Sequence, residues 1–188
     1  MERGEKLLAD FPKTWILKDE TRVAVRPMVK QDRDRLALFF KRIAEDELRF
    51  LRDDVTDLRV IDHWIERLNY DRVLPLVADI NGRIVADASL HRRKEGWRRH
   101  VGGVRVVVDP AFRHKGFASR LIDELTDIAR KEGLDRLYAE IPADDQAAID
   151  VFQERGFARV ALFERYILDH AGTYHDMAVY HLELTERR

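Results

Sequence analysis

Apolar residues recur along the chain with two spacings, and each spacing predicts a different kind of element. From Phe117 to Ala129 they fall three and four positions apart, with charged residues between them, which predicts an amphipathic helix. Val104–Val108 and Val73–Ile80 are short apolar runs, which predict strands. Because strand and helix patterns alternate along the chain, the sequence predicts a fold that mixes α and β structure.

Turn residues divide this pattern into successive elements. Asn81-Gly82 lies between two apolar runs, which is a strong signal for a β-hairpin. The pattern predicts a lead-in or pairing strand over residues 1–20, strands over 21–26, 73–80, 84–91, 104–108, 134–141, 160–168 and 174–184, and helices from about 30, between 45 and 68, over 117–131 and after 145.

Composition narrows the class of protein. A chain of 188 residues predicts one domain over residues 1–188, with a lead-in over 1–20 and a core over about 21–184. The 34 basic and 35 acidic residues balance, so we expect no nucleic-acid partner. The absence of cysteine excludes disulfides, thiolate metal sites and a cysteine nucleophile.

Two further expectations concern metals and membranes. The seven histidines lack the spacing of metal ligands, so no metal site is predicted. No run approaches the roughly 20 apolar residues of a membrane helix, and the charged first ten residues lack the apolar core of a signal peptide. We therefore expect no membrane partner and a cytoplasmic location.

The junction between the strand at 104–108 and the helix at 117–131 carries the clearest chemistry. A strand that leads into a helix through a loop with Gly116 and Ala118 lets backbone amides at the helix start approach an anion closely. Arg113 and Lys115 add positive charge. This combination suits a pyrophosphate, although the spacing is not that of a Walker loop or of Gly-x-Gly-x-x-Gly.

The pattern Arg-x-x-Gly-x-Ala, after a valine-rich strand that ends in Val-Asp-Pro, resembles motif A of the GNAT superfamily of N-acetyltransferases. The segment from Asp145 to Phe157 is similar to motif B of the same superfamily. The resemblance covers about residues 21–184. It implies an α/β (α+β) fold with a mixed, mostly antiparallel central sheet of about seven strands flanked by helices, and acetyl-CoA as the cosubstrate.

The resemblance also implies which residues bind acetyl-CoA. Main-chain groups near Val106, Val107 and Val108 would pair with the pantetheine arm, and Asp145 and Phe152 would lie near that arm. The pyrophosphate would be held by a continuous run of residues, namely Arg113, His114, Lys115, Gly116, Phe117, Ala118 and Ser119.

The catalytic groups depart from the family pattern. Relatives often carry a glutamate where this chain has Gly103 or Val104, so Glu140 on the next strand is our candidate for the base. His91, His100 and Asp87 are weaker candidates. Many relatives carry a tyrosine as proton donor where this chain has Phe152, and an asparagine where it has Asp145.

Resemblance and residues together predict an N-acetyltransferase that acts on a primary amine of a small molecule or a protein. The alternatives are a non-catalytic acyl-CoA-binding or regulatory module, and a nucleotide-phosphate binder.

The basic stretches at 91–94 and 98–100 are either a solvated loop or a site that attracts a phosphate or an acidic acceptor. A homodimer is compatible with the resemblance. The region between the first two core strands helps to shape the acceptor pocket in relatives, and core packing or surface exposure is the competing explanation for its candidates here: Phe50, Leu51, Asp53 and Trp64.

Overall fold

Eight strands and four helices make up the part of the chain that the computed structural model describes, which is residues 9–44, 48, 51, 53–169 and 171–185. The strands are β1 (Lys13–Ile16), β2 (Arg22–Pro27), β3 (Val73–Ile80), β4 (Arg83–His91), β5 (Val101–Val108), β6 (Arg136–Pro142), β7 (Ala158–Leu168) and β8 (Tyr174–Glu183). The helices are α1 (Arg33–Phe40), α2 (Leu58–Glu66), α3 (Phe117–Lys131) and α4 (Gln146–Glu154).

All eight strands belong to one sheet with the order β1-β2-β3-β4-β5-β6-β8-β7. The pairs β1/β2, β2/β3, β6/β8 and β7/β8 are antiparallel, and β5/β6 is parallel. The predicted mixed, mostly antiparallel sheet is therefore confirmed. The strand beyond the expected seven is β1, which comes from the segment predicted as a lead-in or pairing strand and places Lys13 opposite Val25.

Two compact units, each built from two separate chain segments, divide the fold. The first consists of Met1–Ser89 and Val106–Ala118, and the second of Leu90–Arg105 and Ser119–Arg188. A single domain over residues 1–188 stays a prediction.

The first unit has a core built around α1 and α2. Phe39, Leu36 and Ile61 are fully buried in it, because the apolar stripes of both helices face inward. Trp64 packs edge-on against Phe40, with ring centroids 5.9 Å apart. This contact supports core packing for Trp64.

A buried ion network joins β2, β3 and the start of α1. The carboxylate of Asp32 is fully buried and accepts hydrogen bonds from Arg26 at 2.6 and 2.8 Å. Burial pushes the pKa of Asp32 upward, but hydrogen bonds from Arg26 and from the Val29 amide outweigh it and hold the pKa below its usual value. Arg26 also bonds Asp79 at 3.0 Å, so the network ties together three elements of this unit.

The second unit contains strands that alternate between a covered and an open face. On β6 the side chains of Leu137, Ala139 and Ile141 are buried, whereas those of Tyr138 and Glu140 lie on the opposite face and are less buried. One side of β6 therefore belongs to the core, and the other side presents polar groups.

Strand β5 differs from its predicted extent. It begins at Val101 rather than Val104, and only Gly102–Val104 are buried, while the following side chains to Val108 are partly exposed. The two glycines weaken the strand pattern in the sequence. A Cβ on Gly102 would lie 2.9 Å from three leucine side chains, so the core itself requires a glycine there.

Within the described residues, no helix is long and apolar enough to cross a membrane.

Candidate functional site

The loop between β5 and α3 is shaped by two residues with positive φ. A short 3₁₀ turn over Pro110–Phe112 follows the strand, and Arg113 is extended. His114 and Gly116 then adopt φ values of 58° and 80°, and α3 begins at Phe117. These conformations turn the chain sharply into the helix, which fits the requirement for glycine at position 116.

Asp109 anchors the start of this loop. Its carboxylate, 2% exposed, accepts hydrogen bonds from Arg42 at 2.6 Å, Arg83 at 2.9 Å and the amide of Ala111 at 3.1 Å. Burial alone would raise the pKa of Asp109, but the bonds from Arg83, Arg42 and Ala111 prevail and lower it. The residue therefore stays ionised and holds the loop against two other parts of the first unit. In the sequence, Asp109 is recognisable only as the end of a strand, because its arginine partners are distant along the chain.

Two cations flank the ring of Phe112 in the same loop. The Arg83 guanidinium and the Lys115 ammonium each lie 5.2 Å from the ring centroid. Lys115 also lies 3.8 Å from the carboxylate of Asp19. Phe112 packs edge-on against the buried Phe117 at 6.2 Å, so this aromatic pair connects the loop to the first residue of α3.

The backbone at Gly116 is open. A Cβ built on this residue would have no heavy atom within 4 Å, and the residue is exposed together with His114 and Lys115. It immediately precedes a helix of 15 residues, whose first amides lack intrahelical partners and whose dipole favours negative charge. The loop therefore fits an anionic group that approaches the backbone closely, which is the chemistry predicted from its sequence.

The predicted cosubstrate residues fall in both units. Val106, Val107 and Val108 lie at the end of β5, and with the run from Arg113 to Ala118 they belong to the first unit. Ser119, Asp145 and Phe152 belong to the second. Their assignment to acetyl-CoA stays a prediction.

Helix α4 gives two of these residues visible structural roles. Asp145 is its N-cap, and its side chain accepts a hydrogen bond from the amide of Ala148 at 3.0 Å. Phe152 is 7% exposed and packs edge-on against Phe157 at 5.0 Å. The phenyl ring at position 152 has no proton to donate.

The open face of the second unit brings Tyr138 next to Glu140, the predicted base. Both side chains lie on the same face of β6, and Glu140 is exposed. A Cβ on Gly103 would lie 2.9 Å from Oη of Tyr138, so this ring occupies the space of a side chain at position 103. A glutamate side chain at position 103 would collide with this ring. The spacing of two positions between Tyr138 and Glu140 is the sequence signal that places both side chains on one face of the strand.

The other candidates are placed as follows. Phe50 lies outside the described residues. Leu51 packs beside the core of the first unit, and Asp53 is exposed. His91 and Asp87 lie on β4 and are partly exposed, whereas His100 is exposed in the turn before β5.

His175, the second residue of β8, lies between two carboxylates. Its Nε2 is 3.0 Å from Asp169, and its Nδ1 is 3.4 Å from Asp144. Across residues 9–44, 48, 51, 53–169 and 171–185, no three histidine or acidic side chains are grouped so that they could hold a metal ion. The absence of a metal from the function stays a prediction.

The chain belongs to the acetyltransferase (GNAT) family, whose profile matches residues 40–157. This span includes the loop between β5 and α3, the open strand β6 and helix α4. The resemblance found in the sequence motifs is thereby confirmed.

Individual relatives are also acetyltransferases by name. The chain is 31% identical over 111 residues to the L-amino acid N-acetyltransferase AaaT of Escherichia coli, covering 57% of this chain and 68% of AaaT. It is 42% identical over 61 residues to the N-alpha-acetyltransferase RimI of Mycobacterium tuberculosis, covering 32% of this chain and 37% of RimI. The match to RimI thus spans well under half of that protein. A match to an uncharacterized protein of Mycobacterium leprae, 39% identical over 61 residues, spans 32% of this chain and 16% of that protein.

A solved structure shares the fold. The putative acetyltransferase yncA of Salmonella typhimurium, solved with its cofactor acetyl-CoA, matches with a TM-score of 0.71 over 88% of this chain and 95% of that chain, at 21% identity. This likeness supports the architecture of the sheet and helices described above.

Proposed function

We propose that the protein is an N-acetyltransferase that transfers an acetyl group from acetyl-CoA to a primary amine. Membership of the GNAT family supports this, as do the names of AaaT and RimI. The observation that carries the proposal is the loop at Gly116, with its open backbone, its φ of 80° and its position directly before α3.

In this proposal the loop between β5 and α3 holds the pyrophosphate of acetyl-CoA. Amides at the start of α3 donate to the phosphate oxygens, and the cations of Arg113 and Lys115 neutralise their charge. Asp109 contributes indirectly, because its buried carboxylate fixes the beginning of the loop. The backbone of Val106, Val107 and Val108 pairs with the pantetheine arm.

Bound acetyl-CoA would supply an acetyl thioester that a neutral amine can attack. Glu140 is exposed on β6 and accepts a proton from the amine. Phe152 cannot donate a proton to the departing thiolate. A thiol has a pKa of about 8.5, so the thiolate is a tolerable leaving group near neutral pH without a protein acid.

The acceptor is a small-molecule or protein amine in this proposal. AaaT is named for L-amino acids and RimI for N-alpha acetylation, and these are the two acceptor classes to compare. A homodimer, a cytoplasmic location and the absence of nucleic-acid and membrane partners stay predictions.

The first experiment is a calorimetric titration of the protein with acetyl-CoA, repeated with Gly116→Trp. We expect the wild type to bind near the micromolar range, about −8 kcal/mol. Gly116→Trp should abolish the heat, because the indole blocks the approach to the backbone. Gly133→Trp is the matched control, since Gly133 also has positive φ and no heavy atom near a built Cβ, but lies at the other end of α3.

Both variants carry a similar backbone strain, and thermal melting shows whether each is folded. Equal loss of binding in Gly116→Trp and Gly133→Trp would contradict the assignment of the loop. Binding of acetyl-CoA without release of CoA in the presence of any amine would instead favour the non-catalytic module. Competition by ATP at similar concentrations would favour the nucleotide-phosphate binder.

A further inference from the structure

Four residues belong to the open face of the second unit, and we call them the acceptor face: Arg98, Tyr138, Glu140 and His181. Tyr138 and Glu140 come from β6, His181 from β8, and Arg98 from the turn that leads into β5. Because Tyr138 is directly opposite His181 in the antiparallel register, their side chains share one side of the sheet.

The position of Tyr138 depends on Gly103. Its hydroxyl oxygen lies 2.9 Å from where a Cβ of residue 103 would be, so the ring extends across β5 and brings a phenol to that strand. In the part of the chain that the structure describes, no protein group forms a hydrogen bond with this hydroxyl. A phenol can both donate and accept, so it is available to a ligand.

Arg98 covers the ring of Tyr138. Its guanidinium carbon lies 5.3 Å from the ring centroid, a distance typical of a cation–π contact. Arg98 is exposed, and among residues 9–44, 48, 51, 53–169 and 171–185 no side chain forms an ion pair with it. The contact with the ring orients the guanidinium and leaves its N–H groups for an anion, for which bidentate carboxylate binding is typical.

His181 reports on the charges of this face. Burial lowers the pKa of its imidazole, the positive charges of Arg136 and Arg98 lower it further, and the carboxylate of Glu183 opposes them. The imidazole is therefore neutral at neutral pH and leaves Arg98 as the cation next to Tyr138.

Glu140 lies two residues further along β6 from Tyr138, about 7 Å between Cα atoms for an extended strand. Its carboxylate also interacts with another group of the protein, and it adds negative charge for a cationic amine beside the anion-binding pair of Arg98 and Tyr138. Opposite charges at this separation on one face match a ligand whose amine and carboxylate are attached to the same carbon.

We propose that the acceptor face binds a free α-amino acid, with its carboxylate at Arg98 and Tyr138 and its amine at Glu140. This rests on the proposed acetyltransferase function and specifies its substrate class. The face recognises the free carboxylate next to the amine. The N-terminus of a peptide chain lacks that group.

The test compares amino acids with their amides as acceptors. Leucine, serine, lysine and glutamate are each assayed beside the corresponding amide, which keeps the amine and the side chain but removes the α-carboxylate. We expect kcat/KM to favour the acids by at least about tenfold, a typical loss for one charge-assisted hydrogen bond. Arg98→Gln and Tyr138→Phe should each reduce this ratio severalfold, while acetyl-CoA binding is unchanged.

Arg99→Gln is the matched control, since Arg99 is the exposed neighbour of Arg98 and its guanidinium bonds the carbonyl of Gly96. It should leave the ratio unchanged. Equal use of acids and amides by the wild type would overturn the proposal. So would an unchanged ratio in Arg98→Gln, or acetylation of an alanine-initiated peptide in preference to every amino acid.

A second readout does not depend on turnover. NMR titration of His181 in the presence of CoA, which carries no acetyl group, should show that leucine raises the pKa of the imidazole and that leucinamide does not. The reason is that a bound carboxylate offsets the charge of Arg98. An equal response to both ligands contradicts the proposal. Failure to bind acetyl-CoA contradicts the proposed function instead, so the two failures are distinguishable.

Discussion

Gly103 has no side chain, and this leaves the space that the ring of Tyr138 occupies on the acceptor face. A Cβ at this position would lie 2.9 Å from both Cζ and Oη of Tyr138. The neighbouring Gly102 has the same need for space but a different neighbourhood, because a Cβ there would meet the side chains of Leu90, Leu134 and Leu137. Gly102 therefore leaves space for the core, and Gly103 leaves space for a side chain of the polar face.

This difference gives a test with a built-in comparison. Gly103→Ala should displace the ring of Tyr138 and reduce the preference for leucine over leucinamide severalfold. Gly102→Ala should overpack the core and lower the free energy of unfolding by about 1–3 kcal/mol, with the preference unchanged. Urea denaturation and kcat/KM measure the two effects. The reverse pattern would contradict the role given to Tyr138.

At the residue scale, the loop between β5 and α3 could be recognised from the sequence, but its partners could not. The run from Arg113 to Ser119 could be recognised because its spacing is local. Tyr138 could not be connected to Gly103, because the contact arises from a parallel strand pair between residues 35 positions apart in the sequence. Asp109 was missed for the same reason, since its partners Arg42 and Arg83 are distant along the chain.

At the element scale, α4 shows how one residue can serve a helix and a predicted binding site. Asp145 caps the helix through a 3.0 Å bond from the amide of Ala148, and the resemblance to motif B implies an asparagine at this position in relatives. Asparagine and aspartate are equally good N-caps, whereas alanine is not. The cap therefore needs the side-chain oxygen and does not need the charge.

Two substitutions separate these properties. Asp145→Ala should lower the free energy of unfolding by about 1 kcal/mol, because one amide at the helix start loses its acceptor. Asp145→Asn should leave the stability close to that of the wild type. Chemical denaturation compares the three proteins. Equal destabilisation by both substitutions would mean that the carboxylate charge itself stabilises the helix.

Elements with a strong local signal were predicted best. The β3–β4 hairpin follows from Asn81-Gly82, whose φ values of 52° and 85° are those of a turn that requires such residues. Strand β1 was left open between a lead-in and a strand because it is only four residues long. The start of β5 was placed three residues late because glycines at 102 and 103 hide the strand pattern.

At the scale of the whole molecule, several buried carboxylates determine the response to acid. Asp32, Asp109 and Asp169 are buried, and hydrogen bonds hold each pKa below its usual value. A carboxylate with a lowered pKa in the folded state stabilises the fold fully above its unfolded pKa, about 4, and loses this contribution as the pH falls through the folded value.

The free energy of unfolding should therefore fall slightly from pH 7 to 5, because His181 has a lowered pKa in the folded state, and should fall steeply below about pH 4, where the carboxylates are protonated. Asp109→Asn should lower it by about 2 kcal/mol at pH 7, because it weakens the charge-assisted hydrogen bonds from the partly exposed Arg42 and Arg83, and should flatten the acid dependence. Asp127→Asn, on the exposed side of α3, is the control. Urea denaturation at pH 7, 5 and 3 measures both effects, and identical acid dependence in wild type and Asp109→Asn would refute this account.

The division into two units has a consequence for the order in which the protein is made. The first unit needs Val106–Ala118 as well as Met1–Ser89, and the intervening Leu90–Arg105 belongs to the second unit. Although domains usually fold from the N-terminus during translation, the first unit is complete only after Val106–Ala118 has been synthesised. The last part of this unit to be synthesised contains Asp109 and the loop at Gly116, so the segment proposed to bind the pyrophosphate is also the segment that completes the first unit.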